Sequence, residues 1–359
     1  MNSPHEEHRF PCEQCGADLR FSPETGVLTC DHCGYTETPE NPTSPEILEM
    51  DFQDALSNSL SEEQLEERRV TNCTNCGAQI TFDEQVHADE CPFCATPVVT
   101  DTGLHRVIKP KAVLPFAIPE REAHDHMEKW LGRLWFAPNG LAAYARKGRK
   151  MQGVYIPYWT YDTQTKTRYT GGRGTEYTTT KTVVIDGKRQ KRTVVKVRWV
   201  SVSGRVSRFF DDVLVMASHS LPKSYADGLH PWDLSSLETY QPRFLAGFMS
   251  EGYSVGLDEG FIIAKDVMAN RIRRDIRFDI GGDRQRIDRA ETQYSDITFK
   301  HILAPIWMAA YKYRGKSYRF VVNGQTGKVQ GERPYSIWKI LFAVLFAVIA
   351  LAAGMYFTQ

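Results

Sequence analysis

A chain of 359 residues with 42% apolar and 11% aromatic content holds enough material for two or three cored domains, which excludes a disordered tail. Its 44 Lys and Arg balance 44 Asp and Glu, so a charge-driven partner must be sought in local asymmetry and not in net charge. All eight cysteines fall within the first hundred residues, a distribution that suits metal ligation and not a disulfide framework.

The N-terminus "MNSPHEEHRFPCEQC" lacks a basic segment followed by an apolar one, so no secretory signal is expected. Residues 8–36 read as a first zinc ribbon: "CEQCGADLRFSPETGVLTCDHCGY" sets Cys12 and Cys15 against Cys30 and Cys33 across fourteen residues. Thiolate is a soft ligand that Zn²⁺ prefers, and two Cys-x-x-Cys knuckles supply four sulfurs with no open position, the mark of a structural site. Residues 37–69 form an acidic linker, Pro-rich at first, in which Ile47, Leu48, Phe52 and Leu56 then recur at helical spacing for one or two short helices. Residues 70–100 repeat the module. "CTNCGAQITF" at Cys73 echoes "CEQCGADLRF" 61 residues upstream, and Cys73, Cys76, Cys91 and Cys94 keep the same gap. Gly16, Gly34 and Gly77 follow their knuckles, where positive φ lets the turn close, and Ala95 breaks the pattern. Two structural Zn²⁺ ions are expected, one in each of two zinc-stabilised knobs. A redox role for the same cysteines would need a βαβ setting that the chain does not show.

At these residues the chain resembles the zinc-ribbon insert of the primosomal protein N-prime family of replication-restart DNA helicases, over 24 residues that close on Cys30 to Tyr35. Transcription-factor-IIB-type ribbons share much of this pattern. As a whole, with two ribbons, "PYWTYD", "VNGQTGKVQGERPYS" and an apolar C-terminus, it resembles a family of bacterial zinc-ribbon, single-pass membrane proteins that carry that helicase's name. The helicase resemblance implies Cys12, Cys15, Cys30 and Cys33 as Zn ligands and nothing about ATP or unwinding.

Residues 101–150 are a linker and an amphipathic helix, with Ala123, Met127, Trp130, Leu131 and Leu134 on one face and Pro119 near its start. Residues 151–335 form a β-rich domain. "GVYIPYWTYD", "TKTRYTG", "TEYTTTKTVVI", "RTVVKVRWVSVSG" and "SRFFDDVLVMAS" read as five strands, with Asp186-Gly187 as a hairpin turn. A helix from about Asp258 to Phe278 follows, then two more strands and a second hairpin at Asn323-Gly324. "VYIPYWTYD" and "ILAPIWMAAY" look alike, which suggests a duplicated β unit. No βα alternation is present, so the fold expected is mostly β (α+β): two ribbons, a β-rich domain with a few helices, and a C-terminal transmembrane helix.

Residues 337–357 supply that helix, because the eighteen residues from Ile340 to Phe357 carry no charge and would cover roughly 27 Å of a bilayer core about 30 Å thick. Tyr335, Trp338 and Tyr356 suit the interfaces, while Arg333 and Lys339 lie on the N-terminal flank with no base beyond, which places the large part in the cytoplasm on the inner membrane.

Three motifs imitate enzymes or ligand sites. "AYKYRGKS", Ala310 to Ser317, fits a permissive phosphate loop, but a strand follows where a helix is required, so no nucleotide is expected. "GYSVG" places Ser254 at nucleophile-elbow spacing with His301 downstream, yet Ser250 and Glu251 occupy the place of a buried strand, so a turn is expected there. His124 and His126 fall on the polar face of their helix and are expected to be solvated.

Charge is unevenly spread: residues 1–70 hold sixteen acids against four bases, and residues 166–208 hold twelve bases against two acids. The basic stretch would meet lipid, nucleic acid or the acidic half of the same chain. These features describe a membrane-tethered zinc-ribbon scaffold that binds protein partners and is not an enzyme. The alternative is a nucleic-acid-associated replication or repair factor without a motor, and the third reading is a hydrolase using Ser254.

Overall fold

The computed structural model of the protein describes residues 10–38, 47–57, 60–61, 64–69, 71–81, 88–91, 93, 96–99, 104–138, 151–185, 188–313 and 316–357. β1 (Leu19–Ser22), β2 (Val27–Cys30) and β3 (Thr36–Glu37) form a small antiparallel sheet of their own. β4 (Met50–Asp51) leads into α1 (Phe52–Leu56), which Asp51 caps by accepting from the Gln53 and Asp54 N–H groups. β5 (Leu65–Arg69), β6 (Thr71–Asn72), β7 (Gln79–Thr81), β8 (Ala88–Glu90), β9 (Pro97–Val99) and β10 (Leu104–Ile108) run through the second cysteine module and its exit. β11 (Ala112–Val113) precedes α2 (Glu120–Gly132), whose Ala123, Met127 and Leu131 are buried as their spacing predicts. His124 and His126, expected to be solvated, are half-buried on the flanks of that stripe beside Glu120 and Glu122, and the His126 ring lies against Gly327.

The body of the molecule is a very long antiparallel sheet. β12 (Gln152–Ile185) pairs with β13 (Lys188–Met216) on one side and, after α3 (Lys223–Leu229), β14 (Glu238–Thr239), β15 (Met249–Gly252) and α4 (Leu257–Ile280), with β16 (Arg284–Tyr313) on the other. β17 (Lys316–Asn323) and β18 (Val329–Gly331) extend the sheet beside the end of β16, and α5 (Ile337–Phe357) closes the described chain. The fold is mostly β with a few helices, as expected.

Five expected strands are only two, β12 and β13. The glycines that read as breaks are sites of close approach: a Cβ on Gly172 would lie 3.1 Å from the Trp199 indole, and one on Gly204 would lie 2.5 Å from Tyr169 Oη. Asp186-Gly187 lies outside the described residues, while the flanking strands pair up to Ile185 and Lys188. The Asn323 hairpin is present with a longer turn, in which Asn323 Oδ1 accepts from the Gln325 and Thr326 N–H groups and the left-handed residue is Gly327, at φ 71°. The two similar segments lie side by side. Tyr155 stands opposite Pro305 and Leu303 opposite Pro157, a local twofold about the Ile156 and Ala304 pair.

α4 covers one face of this sheet with Phe261, Ala264, Met268, Ile272, Ile276 and Ile280, all buried. It sits close because a Cβ on Gly260 would meet Tyr161 Oη at 2.4 Å and the Trp159 ring at 2.8 Å; those two side chains donate to the Leu257 and Val255 carbonyls. Acidic Asp258 and Glu259 in its first turn and Arg277 in its last complement the helix dipole, and Gly281 at φ 65° ends it. Beyond Gly174 and Arg284 the third strand stops, and eleven further pairs, Thr175 with Arg198 to Ile185 with Lys188, continue as a two-stranded arm roughly 35 Å long.

Candidate metal centres

Each cysteine module closes by the same backbone device. Cys12 and Cys30 donate their N–H groups to the Ala17 and Tyr35 carbonyls at 2.6 and 2.8 Å, and Gly16 and Gly34 donate back to Cys12 and Cys30 at 2.8 and 2.9 Å. Gly16 and Gly34 do so at φ 74° and 75°, a conformation that costs an L-residue about 1–2 kcal/mol. The two knuckles bring four sulfurs within 4.8 Å of one another, with Cys12 Sγ 3.5 Å from Cys33 Sγ and Cys15 Sγ 3.5 Å from Cys30 Sγ. A disulfide would require about 2.05 Å, whereas sulfurs bound at about 2.3 Å around a tetrahedral ion stand about 3.8 Å apart. The spacing therefore fits a cation. The protons of the crowded thiols split unevenly: the Cys33 N–H directed at Cys30 holds that thiol down to about 6. Cys33, although the Tyr35 N–H points at it, is pushed up to about 12 by desolvation and the neighbouring thiols. A divalent cation removes that conflict by letting all four ionise.

The second module repeats this. Cys73 donates to Ala78 and Gly77 to Cys73 at 2.8 and 2.9 Å, with Gly77 at φ 74°, and Cys91 donates to Thr96 at 2.8 Å. Cys73, Cys76 and Cys91 meet within 4.8 Å, the last two at 3.6 Å. Cys94, the expected fourth ligand, and Ala95 lie outside the described residues.

Neither module is a free knob. The Phe21 ring packs 5.5 Å from Phe244, the Phe21 N–H donates to Ala246, and Arg243 pairs with Glu37 at 2.7 Å. Cys12 and Cys30 belong to the same buried cluster as Phe116, Trp307 and Phe320 of the body. In the second module β7 pairs with β15, and Cys73, Cys91 and Phe93 share a cluster with Ile156, Tyr158 and Val321. Hydrophobic burial that spacing alone did not reveal joins both modules to the large sheet.

β15 also corrects the reading of Ser254. A buried strand does precede it, because Glu251 is accommodated there: Ser218 and Ser220 donate to its carboxyl at 2.5 and 3.0 Å, and burial pushes it up to about 8. Ser254 Oγ accepts the His219 backbone N–H at 3.0 Å. His301 instead donates from Nδ1 to the Ile108 carbonyl, 2.7 Å away, and its ring lies against Trp159. At the phosphate-loop imitation, β17 occupies the place of the required helix, as expected.

Two groups were not legible in the sequence. Where β12, β13 and β16 all slip register, Asp162 accepts the Asp212 N–H, and Glu49 from the linker joins them; Asp212 and Asp296 take φ 50° and 52° at the bulges. Lys300 holds this group together, with Nζ 2.7 Å from both Glu49 and Asp212. The second is the sheet face turned away from α4. Lys166, Arg168 and Arg205 line a shallow basin of ≈ 240 Å³ there, with Ser207, Gln293 and Glu291 beside them. Arg168 stands opposite Arg205, and further along Trp199 lies over Gly172 and Gly174 with the Arg286 guanidinium 5.5 Å above its ring. Strand alternation scatters these residues along the sequence, so only the general basic stretch was visible there.

α5 is long and apolar enough to cross a membrane, with a mean hydropathy of 2.4 over its span and none of it buried against the body.

No family model matches the chain, and no solved structure matches it. It is similar to the uncharacterized protein YdjG of Bacillus subtilis (strain 168), 27% identical over 339 residues that cover 92% of this chain and 91% of that protein. The likeness thus extends over nearly the whole chain and is not confined to the cysteine modules.

Proposed function

We propose that the protein is a membrane-tethered interaction scaffold, held on the cytoplasmic side of the inner membrane by α5, with two structural Zn²⁺ ions and no chemistry of its own. The observation that carries this reading is the closed four-thiol set of the first module, with three thiols of the second gathered in the same way, both built into the buried clusters of a long sheet. Thiolate sets with no open position staple a structure, and the product of the stapling is a rigid surface. The arm beyond Glu176, whose N–H and carboxylate still bond to Asp283 and Arg284, is the part of that surface with least to do for the fold, since from Tyr177 to Lys196 the sheet pairing is between β12 and β13 alone.

The scaffold reading is tested by replacing Tyr177–Lys196 with a two-residue turn in the full-length chain and isolating the complex from host membranes. The body should keep its metal and its melting behaviour while a specific protein partner is lost. A partner retained at full occupancy removes the arm from the interface, and retention of no partner by either chain sinks the scaffold reading.

A second reading, a nucleic-acid-associated factor resembling primosomal protein N-prime in its ribbon alone, is favoured by Lys166, Arg168 and Arg205 on the bare sheet face. Adjacent cations track a phosphate backbone. It requires salt-dependent binding of single-stranded DNA or RNA that weakens when Arg168 and Arg205 are neutralised.

A further inference from the structure

The turn that ends α2 and the start of α5 come from segments about two hundred residues apart, and backbone bonds hold them together. Ser336 N–H donates to the Phe136 carbonyl at 2.7 Å, and Lys339 Nζ donates to the Trp135 and Ala137 carbonyls at 3.1 and 2.8 Å. The turn is fixed to the body from within. Ala137 is buried at 4% exposure, Leu134 packs against the same cluster, and the Leu134 and Ala137 N–H groups donate to Leu131 and Leu134. Between these inward residues the chain presents two aromatics outward: Trp135 is 80% exposed and Phe136 37%. At the same level on α5, Tyr335 and Trp338 are 57% and 73% exposed, and the Arg333 guanidinium lies 5.0 Å from the Tyr335 ring.

Full exposure of an indole to water is unfavourable, and here nothing in the packing of the turn requires it: Leu134 and Ala137 already anchor the segment. Indoles with one apolar face and one N–H favour the boundary between lipid headgroups and acyl chains. The depth of the turn follows from Lys339. As the cation nearest the uncharged span, it belongs at that boundary, and its ammonium touches the very carbonyls of Trp135 and Ala137. We infer that the Trp135–Phe136 turn is a second membrane contact, an aromatic wedge seated at the headgroup and acyl boundary of the bilayer that α5 crosses. The inference rests on the membrane reading of α5. Its occupant is phospholipid and not another protein, because the wedge is continuous with a helix whose entire surface already faces lipid in that reading.

The wedge would set the attitude of the body. It lies near β17 and β18, at the end of the sheet where Gln152 pairs with Met308, whereas the arm begins at Gly174, roughly 70 Å away along β12.

The full-length protein in vesicles of phosphatidylcholine brominated near the headgroup, compared with lipid brominated near the chain ends, gives the test. Tryptophan emission of the parent minus that of Trp135→Phe isolates Trp135, and the difference from Trp338→Phe isolates the start of α5. Both differences should be quenched by the shallow bromines, about twofold and more than by the deep ones. Quenching at Trp338 without quenching at Trp135 overturns the wedge and leaves α5 in the membrane. Absence of quenching at both positions overturns the membrane reading itself. Because Trp135→Phe keeps an aromatic at an outward position, folding is preserved, and Phe136→Trp in that background supplies a second probe of the same turn with the same two outcomes.

Discussion

Lys300, near the middle of β16, holds its ammonium 2.7 Å from Glu49 of the acidic linker, a residue 251 positions away. This pair fastens β4 to the sheet at the one place where all three long strands are irregular, and Thr298 adds a hydroxyl donated to the same carboxylate. Removing one partner of a buried pair costs about 3–5 kcal/mol because the other charges lose their counter-ion. Lys300→Met should therefore lower the melting temperature by roughly ten degrees, while Lys300→Met with Glu49→Gln should recover part of the loss. Equal melting of the single and double variants would show that the pair is not what holds the linker.

The same group sets a pH dependence. Burial pushes Asp162 up to about 7, the Asp212 N–H opposes that, and Glu49 beside it adds to the rise. Lys300 and Thr298 overcome burial to keep Glu49 low. A carboxyl raised in the folded state binds a proton that the unfolded chain, with its value near 3.8, has released. Its contribution is thus largest below the unfolded value and fades as pH rises to about 7. Asp162→Asn keeps the Oδ1 that accepts from Asp212 and removes the titration. Its melting temperature relative to the parent should climb between about pH 4 and pH 7 and level off above. A constant difference across that range would contradict the assignment.

How much of this was readable depends on whether the signal was periodic. α2 and α4 lay open in the sequence because Ala123, Met127 and Leu131, and Phe261, Ala264, Met268 and Ile272, return on one helical stripe. The long strands did not, since Gly172, Gly174 and Gly204 look like turns until Trp199 and Tyr169 are seen to fill the space they leave. The four cysteines of the first module were legible from spacing, but the burial of Cys12 and Cys30 in one cluster with Phe116 and Trp307 was not, because contacts between segments far apart leave no local pattern. The Glu49, Asp162, Asp212 and Lys300 group has the same cause. Its members are spread over 251 positions and meet where two bulges, one on β13 and one on β16, coincide.

That burial makes metal loss a matter for the whole body. If the first module were a separate knob, Cys30→Ser would cost one metal ion and leave the sheet untouched. Cys30 is 1% exposed in a cluster that also holds Phe320 and Trp307, and if each module holds one ion as proposed, the substitution should halve the metal content. It should also weaken the near-ultraviolet circular dichroism of the buried tryptophans and lower the melting temperature. An unchanged tryptophan signal with one metal lost would separate the module from the core.

Arg168 stands between two charged neighbours, Arg205 directly opposite on β13 and Glu291 directly opposite on β16. A like-charged cross-strand pair costs a sheet, and an opposite-charged pair adds to it, roughly 0.2–1 kcal/mol each, so the two offset one another. Arg168→Gln should therefore leave the melting temperature within about two degrees of the parent's while weakening any polyanion that binds this face. For a single-stranded nucleic acid, the slope of log affinity against log salt should fall by about 0.7 for the one phosphate contact removed. A variant that binds polyanions with the parent's affinity and salt slope would place the anion site elsewhere, with the arm residues Arg189, Lys191 and Arg192 the next to be neutralised.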